Sequence, residues 1–252
     1  MWTTSRIAAF VGAALLIGAP RWTVADAAQA RTFASAAEAS DALFEAARNG
    51  DAHAIDAVLG SRDGLASCGD KARDGGERQR FAEKYQEMHR LVREPDGTTV
   101  LYVGAENWPF PIPLVSSRGR WHFDAETGRR ELTFRRIGAD EAIAIEVSRA
   151  AVDAAKHHET PGSGPDPLVA YAQHLVTAAQ PDDRPFHGYR FVVLKRNGTI
   201  VVAYPAEYRS SGVMTFVVGD DGVVFERDLG PDTARVARSL KARPTSGWRA
   251  VG

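Results

Sequence analysis

Residues 212–230, GVMTFVVGDDGVVFERDLG, decide how this chain is read. Apolar runs flank two adjacent aspartates and a glycine, the pattern of two strands joined by a turn, and Asp-Gly suits the positive φ angles of hairpin corners. The same aspartates, Asp220 and Asp221, are also the acids whose setting most suggests chemistry. A calcium loop would need further oxygen ligands at alternate positions and a distal glutamate. Here Val223, Val224 and Phe225 follow, and Glu226 and Asp228 fall in the returning strand. Adjacent aspartates in a tight turn splay apart and cannot act as an acid/base pair. The turn reading wins, with Asp221-Gly222 at the corner and Val213–Val218 and Val223–Phe225 as paired strands.

Outward from this hairpin, GYRFVVLK (188–195) and TIVVAYPAEY (199–208) read as further strands joined at Asn197-Gly198. Pro231 suits the first position of a last helix, with Val236, Ala237 and Leu240 as its apolar stripe. Upstream, Asp140 is expected to cap a helix of about five turns ending near His158. TPGSGPDP then breaks the chain before a short helix, LVAYAQHLV. In the first half, Ser35 and Glu38 have capping-box spacing, Asp51 caps a second helix ended by Gly60, and SCGDKARDGGE reads as a polar loop. Phe81, Tyr85, Met88 and Leu91 or Val92 suggest a third helix, and TTVLYVG, NWPFPIPLVSS, GRWHFD and RELTFRR read as strands. Alternating Pro109, Pro111 and Pro113 confine the second of these to an edge or an extended loop. The fold expected is α+β, in two small lobes each with helices packed on an antiparallel sheet, over residues 28–137 and 138–252.

The first 27 residues are expected to be removed. Arg6 precedes an apolar run, Ile7–Ala19, and small residues at Ala25, Ala27, Ala28 and Ala30 mark a cleavage region. That run is shorter than the roughly 20 residues a bilayer span needs, and no transmembrane segment is expected after signal removal. The chain has 252 residues with 31 Lys+Arg against 32 Asp+Glu. A near-neutral balance without a clustered basic surface argues against a nucleic-acid partner. The pairs Arg129-Arg130 and Arg135-Arg136 are short and flanked by acids, and read as a solvated strand edge. One cysteine, Cys68, permits no internal disulfide, so a hydrophobic core must hold the exported chain.

No catalytic, metal or cofactor set is assigned. His157-His158 point about a hundred degrees apart on a helix and cannot chelate together. HExxH, CxxC, GxSxG and phosphate-binding glycine loops are missing from the sequence. The aromatics Trp108, Trp121, His187, Tyr189, Tyr204 and Tyr208 are the candidates for lining a sugar or peptide groove. The competing reading, preferred on the residues, is that strands carry aromatics because they pack well on a pleated surface.

With these residues in hand, the chain resembles a bacterial family of unknown function, domain of unknown function 2950. The resemblance lies in ENWPFPIPLV, GRWHFDAETGRRELTFRRIGADEAIAIEVSRAAVDAA, PFHGYRF and AYPAEYRSSGVMTFVVGDDGVVFERDLGPDTA. It departs by being short between His158 and Pro185 and around Lys195–Thr199. It implies an exported bacterial protein and supplies no activity, cofactor or catalytic residue. At fold level, the C-terminal half is similar to pilin-like globular domains, and the opening helices with ARNGD to NTF2-like domains. The expected role is a non-catalytic binding module of the cell envelope, periplasmic or secreted, meeting an envelope protein or polymer. The alternatives are an envelope hydrolase with a site at the lobe interface, and an accessory subunit of a pilus-like or secretion assembly.

Overall fold

A computed structural model describes residues 31–61, 64–65, 67, 70–157, 166–178, 183–195, 198–243 and 246–251. The cleavage region Ala25–Ala30, Cys68, His158 and Asn197 lie outside the described residues.

Three helices and a sheet form the first unit: α1 (Ala36–Arg48), α2 (Ala52–Leu59) and α3 (Lys71–Glu87). Ser35 Oγ accepts the Glu38 N–H at 3.0 Å, and the Glu38 carboxylate reaches back to the Ala34 N–H at 2.8 Å, one residue beyond the usual capping box. Asp51 caps α2, and Gly60 closes it in the left-handed region at φ 68°. The segment expected to be a polar loop turns helical at Lys71, because Asp70 caps two N–H groups there. That helix stops at Glu87, and the residues expected to continue it, Leu91 and Val92, lie in strand β1 (His89–Arg93). Their apolar spacing serves a strand as well as a helix.

β1 pairs antiparallel with β2 (Thr99–Val103), whose other edge is shared by β3 (Trp108–Pro109) and β4 (Leu114–Ser117). The proline-rich segment is therefore a two-residue edge piece, β3, and an extended stretch through Pro113 that leads into the interior strand β4. β4 turns into β5 (Arg120–Phe123) through Arg118-Gly119, both at positive φ, as a two-residue hairpin requires. Phe33, Leu43, Leu59, Leu114 and Phe123 form the core beneath α1 and α2. Beside it Tyr85 is buried, donating to Asp41 Oδ1 and bonded to Ser40 Oγ, each at 2.9 Å.

The second sheet is a five-stranded antiparallel meander. Its strands are β6 (Tyr189–Lys195), β7 (Thr199–Pro205), β8 (Met214–Val218), β9 (Val224–Asp228) and β10 (Arg249–Val251). Both faces are covered. Phe191, Val201, Phe216 and Val218 pack against α4 (Ala125–His157) and α5 (Pro167–Thr177). Val202, Tyr204 and Val217 pack against α6 (Thr233–Ser239) and Trp248. Two-sided burial explains the continuous apolar run of β7, since neither face needs polar residues.

The opening hairpin forms as expected, with a shifted corner. β8 and β9 pair up to Val218 and Val224, and Gly222 N–H bonds Gly219 O at 2.9 Å. Asp220 and Asp221 are thus the central turn residues, and Gly222 follows in the left-handed region at φ 72°. Asp220 Oδ1 accepts the Thr199 N–H at 3.0 Å, tying this corner to the β6–β7 turn. Asp221 meets Arg243 at 2.5 Å and is held below the usual carboxylate range by that guanidinium.

The largest departure from expectation is α4. RELTFRR is helical rather than a strand, the arginine pairs Arg129-Arg130 and Arg135-Arg136 lie on a helix rather than a strand edge, and Asp140 is an interior position rather than a cap. Asp124 starts the helix, its Oδ1 accepting the Thr127 N–H at 3.1 Å. One helix of 33 residues therefore runs from the end of the first sheet across the second, through Gly138 without a break. Its start is set close to the first sheet at Gly128, where a Cβ would lie 2.5 Å from the buried Ile112 side chain.

Gly128→Val should lower stability by about 1–3 kcal/mol through overpacking, read as a lower urea midpoint at unchanged m. Unchanged stability would contradict this close approach. Burial also pushes the Tyr85 hydroxyl from 10.0 up to about 12. The folded state favours the neutral phenol, so this contribution is intact below pH 10 and is lost as pH rises through about 12. Alkaline difference absorbance of Tyr85→Phe against the parent should therefore lack one late-titrating tyrosine; loss of an ordinary one instead would contradict the buried environment.

Candidate binding groove

Chemistry-bearing side chains converge where α4 crosses the loops 186–188 and 207–213. Glu141, on α4, accepts the N–H groups of both Val213 and Met214 at 3.0 Å through the same oxygen, which lies 3.4 Å from the Tyr189 hydroxyl. Tyr189 is fully buried and also donates to Met214 O at 2.9 Å; burial, reinforced by the Glu141 charge, pushes its hydroxyl far above the usual tyrosine value. Its ring lies so close to Gly212 that a Cβ there would come within 2.3 Å of the hydroxyl oxygen. On the preceding residue, burial raises the Asp140 carboxyl, opposed by the nearby His187 and Arg136.

The loop beside this junction is locked into an uncommon conformation. Arg209 has φ 62°, which costs a non-glycine residue about 1–2 kcal/mol. Hydrogen bonds within the loop and from α4 hold it there. Glu207 N–H donates to Ser211 Oγ at 3.0 Å, Arg209 N–H to Gly212 O at 2.8 Å, and Arg136 to Ser210 O at 3.1 Å. Glu141 fixes the far end, as above.

The surface this produces is an open groove of about 590 Å³ between α4 and the loop. Arg130, Thr133, Phe134 and Ile137 fall on one helix face because they are three and four residues apart. Phe134 is 66% exposed, the largest value among the exposed large apolar side chains of the described residues. Ile137 and Val213 continue the apolar lining; Arg129 and Arg130 stand on the helix side and Arg209 on the loop side. Glu126 is the acid of the lining, and it pairs with Arg129 and Arg130 at 3.2 and 3.5 Å. Among the described residues of the lining there are thus three guanidinium groups and one carboxylate. A second cleft, about 440 Å³ between the end of α1 and α3, is lined mainly by polar side chains such as Asn49, Gln79 and Gln86.

The six aromatics singled out from sequence are dispersed. Trp121 packs into the first core, bridged to Phe33, while Trp108 is half exposed beneath the Arg135 guanidinium at 4.9 Å. His187 and Gly188 are the two positive-φ residues of a tight corner closed by reciprocal Phe186–Tyr189 backbone bonds. Tyr204 lies on the opposite face of the second sheet and accepts from Arg238 Nε at 2.9 Å. Tyr208 donates to Asp228 at 3.1 Å beside Arg209. Only His187 and Tyr189 adjoin the Glu141 junction. Phe134 escapes notice because the start of α4 reads as a strand, while Glu141 and Arg209 owe their roles to bonds between segments far apart in sequence. The i,i+3 and i,i+4 pairs Glu126–Arg129, Glu126–Arg130 and Glu131–Arg135 were the available helical signal. Among the described residues no helix is long and apolar enough to cross a membrane, and no cluster of three or more metal-ligating side chains occurs.

The profile of the family described as "Protein of unknown function (DUF2950)" matches residues 30–183 and 196–251, and the chain belongs to that family. No curated protein and no solved structure matches it.

Removing the Glu141 carboxylate strands two adjacent backbone donors. Glu141→Ala should cost about 1–3 kcal/mol, and Glu141→Gln, which keeps one carbonyl acceptor, clearly less. Equal losses in urea unfolding, or none, would show that the carboxylate does not anchor the loop.

Proposed function

Taking membership of this family as the premise, we propose that the protein is an exported, non-catalytic binding module of the bacterial cell envelope, and that the α4 groove is its binding surface. One observation carries the reading: the polar groups at the junction are spent on structural bonds, while the groove beside them displays Phe134. Glu141 accepts two backbone N–H groups, Tyr189 is buried against it, and Asp220, Asp221 and Asp228 hold Thr199, Arg243 and Tyr208 of neighbouring segments. Exposed aromatic surface flanked by guanidinium groups is the composition of interaction sites, where aromatics and arginine carry most of the energy. Export is supported by the basic and apolar start of the chain and its small-residue cleavage region.

Two measurements test this. Expressed from the full-length gene, the protein should be recovered from the periplasm or medium with its new N-terminus between residues 26 and 31. An unprocessed cytosolic product would overturn export. A photo-crosslinking residue at position 134 should capture a partner in intact cells, whereas one at Val169, also exposed but on α5, should not. Equal capture at both positions, or none at 134, would overturn the groove as the binding surface.

A further inference from the structure

The charge and shape of the groove specify its occupant further, on the premise that it is a binding surface. We propose that it takes a single extended acidic peptide segment bearing an aromatic or large aliphatic side chain. The apolar side chain would sit on Phe134 and Val213, and flanking carboxylates would meet Arg130 on the helix side and Arg209 on the loop side.

Two features favour a peptide over a membrane surface. The cations stand on both sides of a concavity, one set on α4 and one on the loop, so an occupant must be narrow enough to lie between them. A bilayer plane cannot enter such a channel; it favours an amphipathic helix lying in its interface. Guanidinium groups also suit carboxylates in particular, because their planar donor fork matches the two carboxylate oxygens. The positive φ of Arg209 gives the second observation. With the loop around it held by Ser211, Arg136 and Glu141, Arg209 lines the groove from the loop side. Among the described residues Arg209 makes no ion pair, and its guanidinium lies 5.4 Å from the Tyr208 ring centre. Arg130 meets Glu126 only at 3.5 Å and its side chain stays exposed, so it and Arg209 leave positive charge for a ligand.

The test uses the mature full chain and three probes: a dye-labelled octapeptide of alternating Asp and Ser with a central Phe, its Lys-for-Asp counterpart, and phosphatidylglycerol vesicles. The acidic peptide should bind, more weakly as salt rises, while the other two should not. Phe134→Ser, Arg209→Glu and Arg130→Glu should each weaken it by about tenfold or more, and Arg80→Glu, on the exposed face of α3, should leave it unchanged. Preference for vesicles, binding of the basic peptide, or indifference to all three groove variants would overturn the proposal. Crosslinking at position 134 separates its failure from that of the broader reading. Capture through a segment that is not acidic would overturn the acidic-peptide assignment alone. No peptide binding together with no capture would overturn both.

Discussion

A single carboxylate oxygen, Glu141 Oε1, joins the long helix to the second sheet. It accepts the N–H groups that begin β8 and lies against the Tyr189 hydroxyl, so helix, strand and loop share one acceptor. Hydrogen bonds to an ionised acceptor are worth about 1.5–3 kcal/mol each, against about 1 for neutral ones. Such a contact therefore sets register as well as adding stability. The consequences spread outward. Gly212 must lack a side chain because Tyr189 occupies that space, and the loop preceding it is held with Arg209 in the left-handed region. Arg209 then stands opposite Phe134, which α4 presents because its face continues from Ile137.

The acids of the hairpin likewise tie neighbouring segments together. Asp220 reaches the neighbouring turn, where a Cβ on Gly198 would lie 1.9 Å from its carboxylate oxygen. Asp221 is held by Arg243, which also lies over the Phe225 ring at 4.3 Å. Glu226 is nearly buried and bonded to Arg249 of the adjoining strand. Carboxylates in such settings stabilise one arrangement of the chain. The groove differs because Phe134 is left exposed beside Arg130 and Arg209.

The sheet-forming half was largely legible in the sequence. Alternation, Asp-Gly and the run TIVVAYP fixed the strands, and Ser35 and Asp51 marked helix starts through local bonds that depend on little else. The first half of α4 was not legible. Leu132 and Phe134 are two apart, a strand spacing, and over this stretch only Gly128 and Ile137 are buried. A helix that lies mostly in solvent, bordering a groove, lacks the broad apolar stripe by which helices are recognised. Misreading it hid Phe134 and Arg130. Arg209 was hidden for another reason: its φ is imposed by Ser211, Arg136 and Glu141, and two of these are over sixty residues away in sequence.

The central claim is that this clamped loop and the start of α4 make one binding surface. Its most direct test is amide chemical-shift mapping on residues 28–252 during titration with the acidic, phenylalanine-bearing octapeptide. The account requires the shifted amides to cluster at residues 130–137 and 209–213. Shifts concentrated instead along α1 and α3, around Asn49 and Gln79, would contradict it.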